Sequence, residues 1–235
     1  MLFRSPRTKA IILNSPSNPA GSVVTAEDLE RIVHLAHERG IFLLLDECYV
    51  YLNYAGKPVS GGSFTWAKEH MVILGSLSKT YSMTGWRAGY ALASKSVVAN
   101  LSKLQSQSTS NATSFVQKAA IAALAGPQQC VADFRGEFID LRDYMLAKLA
   151  AIPGVTCTKP EGAFYVYPNI GSFLGKGGIH TATEMATRLL HEAHVVTVPG
   201  EAFGTGQHIR MSYPVTKQNI DEGTRRMGEF LAKLV

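Results

Sequence analysis

Residues 10–14 read Ala-Ile-Ile-Leu-Asn, and residues 41–45 read Ile-Phe-Leu-Leu-Leu and are followed by Asp46. Both are short continuous apolar runs, the pattern of strands that are buried on both faces of a parallel sheet. Between them, Thr25 and Asp28 mark the start of a helix that is expected to end at Gly40. The order strand, helix, strand predicts a parallel crossover unit and therefore an α/β fold.

The chain then extends the predicted sheet before its pattern changes. Two further strands are expected at 71–74 and 90–93, and the second half alternates helices with short strands. This change indicates a larger domain at residues 1–126 and a smaller α/β domain at 127–235, joined by a long helix. In that half we expect helices at 114–125, 131–151, 183–193 and 216–234, and strands at 155–157, 163–167, 195–198 and 208–212.

The composition of the 235 residues, 46% hydrophobic and 17% charged, is typical of a globular chain with a core. The formal charge is +5, but Lys and Arg form no run, so anionic metabolites are favoured over nucleic acid as partners. No apolar run reaches the roughly 20 residues of a membrane span, so no membrane partner is expected. Three widely spaced cysteines match neither a disulfide framework nor a metal motif, and residues 1–6 lack a secretion signal pattern. A cytoplasmic protein without a metal is therefore expected.

Polar side chains follow three of the predicted strands. Asn18 comes after the first strand, Asp46 after the second and Lys79 after the third. Ligands of an open parallel sheet bind beyond the carboxyl ends of its strands, so the three side chains predict a site for a polar, charged ligand. The alternatives are a solvated surface lysine and an aspartate that only caps its turn.

Groups suited to phosphate lie close to Lys79 in the sequence. Ser76 and Ser78 supply hydroxyls, and Arg87 supplies a guanidinium, although a structural ion pair is an alternative for Arg87. Arg210 lies within an apolar run, where it either binds a ligand or faces water from an edge strand. A serine acyltransferase that uses Ser76 and Lys79 is disfavoured, because no Lys-Thr-Gly partner motif is present.

Six short segments form a specific pattern when they are taken together. They are residues 14–21 (Asn-Ser-Pro-Ser-Asn-Pro-Ala-Gly), 46–49 (Asp-Glu-Cys-Tyr), 76–79 (Ser-Leu-Ser-Lys) with 85–89 (Gly-Trp-Arg-Ala-Gly), 161–165 (Glu-Gly-Ala-Phe-Tyr), 198–204 (Val-Pro-Gly-Glu-Ala-Phe-Gly) and 208–213 (His-Ile-Arg-Met-Ser-Tyr). In order and spacing, these segments resemble the motifs of the aspartate-aminotransferase-like (class I/II, fold type I) enzymes that depend on pyridoxal 5'-phosphate (PLP). The resemblance covers nearly the whole chain.

The resemblance implies a three-layer PLP-transferase large domain with a mostly parallel sheet, followed by a smaller C-terminal α/β domain. It implies an aminotransferase that moves an amino group between an L-amino acid and a 2-oxo acid, with PLP as cofactor. The sequence starts near the first motif, so we expect the C-terminal part of such an enzyme, with an incomplete sheet. The alternative is a non-catalytic remnant or assembly module with weak or no PLP binding.

The resemblance also implies site residues and a partner. The residues that hold PLP or substrate are Lys79 (Schiff base and proton transfer), Asp46 (pyridine nitrogen), Tyr49 and Asn18 (ring oxygen), Ser76, Ser78 and Arg87 (phosphate), and Arg210 with Asn18 (substrate carboxylate). The implied partner is a second copy of the chain, with residues 105–111, expected between two helices, near the partner's Lys79. The Asn18–Pro19 peptide bond is expected to be cis. The amino donor is not identified, since Arg210 accounts only for the carboxylate that all amino acids share.

Overall fold

The computed structural model describes residues 5–235, which form two compact units. The first unit contains the chain up to Ser17 and residues 22–133, and the second contains residues 18–21 and 134–235. The domain boundary near Gly126 stays a prediction, because a division by contacts does not test independent folding. The absence of a secretion signal was predicted from residues 1–6, and four of these, Met1 to Arg4, lie outside the described residues.

A four-stranded sheet forms the centre of the first unit. Its strands are β1 (Ala10–Asn14), β2 (Phe42–Asp46), β3 (Met71–Ser76) and β4 (Gly89–Leu92), in that spatial order. The pairs β1–β2 and β2–β3 are parallel, whereas β3–β4 is antiparallel. The expected α/β class with a mostly parallel sheet is confirmed, and all four strands lie within one or two residues of their predicted positions.

Helix α1 (Ala26–Glu38) connects β1 to β2 and covers one face of the sheet. It begins where Thr25 Oγ1 accepts the N–H of Asp28 at 3.1 Å, as the capping pattern predicted. Alternate residues of a strand point to the same face, so the apolar stripe of α1 meets only one set of strand residues. The core formed in this way consists of Leu29, Val33, Ala36, Leu43, Leu45, Ala67, Met71 and Ile73.

Three more helices complete the first unit: α2 (Leu77–Thr80), α3 (Lys95–Ser108) and α4 (Ser114–Ala125). The bounds of α4 match the prediction. The interpretation of residues 105–111 as a connection between helices was wrong for residues 105–108, which form the last turn of α3. The polar sequence of residues 105–108 indicated a loop, and α3 buries none of its residues.

The second unit is built on a three-stranded antiparallel sheet. Its order is β5 (Tyr165–Val166), β7 (Ile209–Ser212), β6 (Val198–Pro199). Each outer strand pairs with the central strand over only two residues, so β5 is shorter than the strand predicted at 163–167, and β6 shares only Val198 with the strand predicted at 195–198. The strand predicted at 155–157 is wrong, since Thr156 makes only an isolated bridge to Asn169.

Helices α5 (Gln129–Ala150), α6 (Ala182–Ala193) and α7 (Lys217–Ala232) accompany this sheet, close to their predicted bounds. Helix α6 begins with a capping box in which Thr181 and Glu184 bond to each other's backbone N–H. The fully buried residues of the core include Ile170, Ile179, Met185, Leu189, Ile209, Tyr213 and Met227. None of the helices in the described part of the chain has the length and apolarity that crossing a bilayer requires.

The short segment Asn18–Gly21 belongs to the second unit although it is distant from it in sequence. The Gly21 carbonyl accepts the N–H of Glu161 at 2.9 Å. Gly21 has a φ of +67°, and a Cβ there would lie 2.4 Å from Pro160 Cβ, so both conformation and space require glycine. The Asn18–Pro19 bond is cis, as predicted.

Candidate active site

The three parallel strands of the first unit end together, and Asp46 ends the middle strand. Asn14 and Asp46 are register partners, and Asn14 Nδ2 donates to the Asp46 carbonyl at 3.1 Å. On the other side, the N–H of Glu47 donates to the Leu74 carbonyl at 2.9 Å. The backbone of Asp46 is therefore held between its two neighbouring strands at the edge where ligands of parallel sheets bind.

The turn that follows β2 fixes the Asp46 side chain and buries Tyr49. Asp46 Oδ1 accepts the N–H of Cys48 at 3.0 Å, which is the hydrogen bond of an Asx turn. A single turn of 3₁₀ helix, Val50–Leu52, follows directly after Tyr49, whose exposed fraction is 5%. The local backbone thus sets the direction of one carboxylate and places one phenol in the interior.

Lys79 lies in a loop whose two ends meet. The β3–β4 ladder ends with Ser76 opposite Gly89, and the N–H of Leu77 donates to the Ala88 carbonyl at 3.2 Å. Residues 77–88 therefore leave the sheet and return to it at one point. Ser76 caps the short helix α2 by accepting the N–H of Ser78 through Oγ at 3.1 Å.

The returning half of this loop is bonded to the outgoing half. Thr84 Oγ1 donates to the Ser78 carbonyl at 3.1 Å, and Arg87 Nη1 donates to the Thr84 carbonyl at 2.8 Å. Arg87 adopts a left-handed conformation with a φ of 53°. Thr84, which was not predicted to be a site residue, therefore links Ser78 to Arg87, two of the three residues predicted to bind phosphate.

The Cys48 thiol shows that groups from two strand ends lie close together. Burial raises the pKa of this thiol, and the negative charge of Asp46 raises it further. A hydrogen bond with Ser76 and the positive charge of Lys79 act in the opposite direction on the same pKa. Asp46, Ser76 and Lys79 thus act on one atom. The sequence analysis considered Cys48 only as an unpaired cysteine, although it lies inside the Asp46–Tyr49 motif.

Glu47 is a second group that the sequence analysis missed. Its Oε1 accepts the N–H of Gly61 at 2.8 Å. Burial raises the pKa of Glu47, partly offset by the hydrogen bonds with Ser60 and Gly61. This carboxylate anchors the segment around residue 61 to the turn after β2.

Two predicted site residues meet within the second unit. Arg210 lies on the central strand β7, and its Nη1 donates to Asn18 Oδ1 at 2.8 Å, across 192 positions of sequence. The Arg210 guanidinium also lies against the rings of Tyr165 and Phe203. Both rings lie in segments that carry the family resemblance, but neither residue was predicted to be in the site.

The predicted residues are thus distributed over the two units. The first unit contains Asp46, Tyr49, Ser76, Ser78, Lys79 and Arg87, and the second contains Asn18 and Arg210. Within residues 5–235, no group of three or more His, Cys, Asp or Glu side chains could hold a metal ion.

Comparison with known proteins identifies the family. The model of the family described as aminotransferase class I and II matches residues 3–227. Aspartate aminotransferase of Geobacillus stearothermophilus is 42% identical over 229 residues, which cover 97% of this chain and 58% of that protein. The chain belongs to the class I and II aminotransferase family, and it spans about three fifths of the length of that relative.

Solved structures agree with this assignment. The aspartate aminotransferase of Rhizobium meliloti superimposes with a TM-score of 0.92 at 34% identity, covering 99% of this chain and 60% of that one. The aromatic aminotransferase of Pyrococcus horikoshii gives a TM-score of 0.92 at 32% identity, covering 100% of this chain and 63% of that one. The fold and the order of the motifs therefore match the family's.

The close approach of β4 to β3, at the base of the loop that contains Lys79, can be tested by mutation. A Cβ on Gly89 would lie 2.9 Å from the Gly75 carbonyl oxygen, so Gly89→Ala must separate the strands where the Lys79 loop begins. We expect a loss of about 1–3 kcal/mol in the free energy of unfolding. Urea unfolding followed by tryptophan fluorescence measures it, because Trp66 and Trp86 are both in the first unit.

Gly85→Ala is the matched control, since its Cβ would meet nothing within 4 Å and the residue lies in the same loop. We expect this variant to unfold within about 0.5 kcal/mol of the parent protein. Equal stabilities of the two variants would contradict the close approach of the strands.

Proposed function

We propose that this protein is a PLP-dependent aminotransferase that moves an amino group between an L-amino acid and a 2-oxo acid, as aspartate or aromatic aminotransferases do. The observation that carries the proposal is that Asp46, Ser76 and Lys79 lie at or directly after the ends of the paired strands β2 and β3, where all three act on the Cys48 thiol. The family membership supports it.

The chemistry of these side chains fits PLP. The Asp46 carboxylate complements a protonated pyridine nitrogen, and the Lys79 amine complements an aldehyde. Ser76, Ser78 and Arg87 offer the hydroxyl and guanidinium donors that a phosphate requires, and all of them lie on the closed loop or at its base. When bound, PLP supplies an electron sink that stabilises negative charge on the substrate α-carbon.

Each residue then has a defined task. Asp46 would hold a proton on the ring nitrogen, and the bond from the Cys48 N–H keeps that carboxylate oriented. Lys79 Nζ would hold the cofactor and would carry a proton to and from the substrate α-carbon. Tyr49 would donate a hydrogen bond to the ring oxygen, and its burial limits the positions that its hydroxyl can take.

The Asn18–Arg210 pair is the proposed binding group for the substrate α-carboxylate. A guanidinium matches a carboxylate with two parallel hydrogen bonds, and Asn18 fixes one end of the guanidinium at 2.8 Å. Asn18 is also the proposed second contact of the ring oxygen. The proposed substrates are an amino acid and a 2-oxo acid, with aspartate and aromatic amino acids as the first to test.

We also propose that the chain forms a homodimer in the cytoplasm. The first unit exposes large apolar side chains, including Ile12 and Leu104 at 72% each and Phe115 at 67%, which favour association by burial. Residues 105–111 are the proposed contact to the partner's Lys79, and four of them, Gln105 and Thr109 to Asn111, line an open cavity of about 1090 Å³ together with Arg87. Three free cysteines support a reducing compartment.

Removal of the Lys79 amine tests whether this residue binds PLP covalently. After treatment with PLP and borohydride and removal of unbound cofactor, we expect the parent protein to carry a pyridoxyl group and Lys79→Ala to carry none, because only a lysine at this position forms the imine that borohydride reduces. Peptide mass spectrometry should locate the group on Lys79. The exposed Lys95→Ala is the control and should keep the group. A parent protein without the group would favour the non-catalytic alternative, and a pyridoxyl group on Lys79→Ala would move the anchor to another lysine.

Replacement of the guanidinium tests substrate binding. Arg210→Lys keeps the charge but loses the planar fork, so we expect carboxylate ligands to bind about 1–3 kcal/mol more weakly while PLP content is unchanged. Calorimetric titration with maleate, a dicarboxylate that has no amino or oxo group to exchange, measures the affinity. Arg188→Lys changes another arginine of the second unit and should have no effect. Equal affinity in the Arg210 variant would remove Arg210 from the site.

Light scattering tests the assembly. We expect a dimer at micromolar concentration, and Leu104→Glu should weaken it, because a charge then replaces an exposed apolar group on α3. A cysteine at Ser108 should form a crosslink with one introduced near the partner's Lys79. A stable monomer would exclude the dimer, and a dimer without the crosslink would exclude residues 105–111 from the shared site.

A further inference from the structure

Two aromatic rings lie against the guanidinium that is proposed to bind substrate. Arg210 Cζ is over the Tyr165 ring at 4.5 Å from its centroid and over the Phe203 ring at 5.2 Å. Both distances are within the roughly 6 Å over which a cation is attracted to the face of an aromatic ring. Neither ring has a role in the function proposed above, so their effect on Arg210 is a separate question.

The sheet of the second unit sets the position of the Tyr165 ring. Tyr165 is the register partner of Ser212, and Arg210 and Ser212 point to the same face of β7 because they are two residues apart. Tyr165 is therefore the diagonal cross-strand neighbour of Arg210, a relation within reach of long side chains. The ring has little freedom to move, since the exposed fraction of Tyr165 is 6%.

A loop that is anchored at several points sets the position of the Phe203 ring. Phe203 ends the 3₁₀ turn Gly200–Phe203. Within this turn Glu201 Oε1 accepts the N–H of Ala182 at 2.8 Å, at the start of α6. The N–H of Gly200 donates to the His208 carbonyl at 2.8 Å, and a Cβ on Gly200 would lie 2.4 Å from the Thr205 carbonyl oxygen. The loop is thus tied to β7 and to α6.

A second aromatic layer supports Phe203. The Tyr167 ring meets the Phe203 ring edge to face at 6.0 Å and stacks on the His208 ring at 4.8 Å with an interplanar angle of 13°. The Tyr167 hydroxyl also hydrogen-bonds Thr205 Oγ1. Such aromatic contacts restrict the rings more than apolar burial alone does.

We propose that Tyr165 and Phe203 are positioning residues that hold the Arg210 guanidinium in the orientation that receives the substrate carboxylate. This inference rests on the proposed function of Arg210. Rings stacked on a guanidinium leave its N–H donors in the plane and at the edge, where Asn18 takes one hydrogen bond and a carboxylate takes a pair. An arginine that is already ordered loses less conformational entropy when the ligand binds, so the affinity is higher.

The test replaces the ring but keeps an apolar side chain of similar size. In Phe203→Leu we expect maleate to bind the PLP-saturated protein about three- to ten-fold more weakly, because a cation–π contact is removed. The heteronuclear NOE of the Arg210 Nε–H group in ¹⁵N-labelled protein should fall, since the side chain becomes mobile. Phe203→Tyr restores a ring and should recover both values. The melting temperature of each variant shows whether the unit remains folded.

Phe230→Leu is the matched control, because the Phe230 ring lies under another guanidinium of the same unit, that of Arg188, at 5.4 Å. It should leave the maleate affinity and the Arg210 signal unchanged. An Arg210 NOE in Phe203→Leu equal to that of the parent protein overturns the inference, whatever the ligand does. If the proposed function is wrong, the parent protein and Arg210→Lys bind maleate with equal affinity or do not bind it. The NOE of Arg210 still reports in that case whether the rings order its side chain.

Discussion

The register of the parallel strands is the constraint on which the first unit depends. Asn14, Asp46 and Leu74 are register partners across β1, β2 and β3, and the Asp46 carbonyl is bonded to the β1 side while the N–H of Glu47 is bonded to β3. A slip of one residue would turn every side chain of a strand to the opposite face. Both the core beneath α1 and the direction of the Asp46 carboxylate would then be lost together, so the packing that stabilises the sheet also maintains the site.

The ladder between β3 and β4 likewise fixes the position of the loop that contains Lys79. An excursion of twelve residues is entropically costly to order, but its ends are fixed by the Ser76–Gly89 pair and by internal bonds through Thr84. The loop therefore presents an amine, two hydroxyls and a guanidinium from one short stretch of chain. The two neighbouring carboxylates that follow β2 make different contacts: Asp46 accepts a hydrogen bond from the Cys48 N–H, whereas Glu47 accepts one from the Gly61 N–H.

In the second unit, the proposed site residue lies on the face of a sheet rather than at its edge. Arg210 lies on the central strand, and partners from both outer elements reach it: Tyr165 from β5 and Phe203 from the loop after β6. A charged side chain on a short sheet needs compensation for partial burial, and here the compensation comes from an amide oxygen and two ring faces. The same contacts give the guanidinium a defined orientation.

The sequence by itself determined the elements with strong local signals and the residues inside specific motifs. The apolar runs of β1, β2 and β3, the Thr25 cap and the long helices were predictable because periodicity and capping are local properties. It also determined the family through the order of its motifs. The last turn of α3 escaped prediction, because its polar residues carry no apolar periodicity.

Tertiary structure alone decided which distant groups touch. The Asn18–Arg210 hydrogen bond joins residues 192 positions apart, the Tyr165 ring reaches Arg210 only through the β5–β7 register, and Cys48 meets Ser76 and Lys79 only because β2 pairs with β3. The short strands β5 and β6 likewise extend only as far as the central strand offers them partners. Such contacts depend on pairing between strands, which local sequence patterns do not encode.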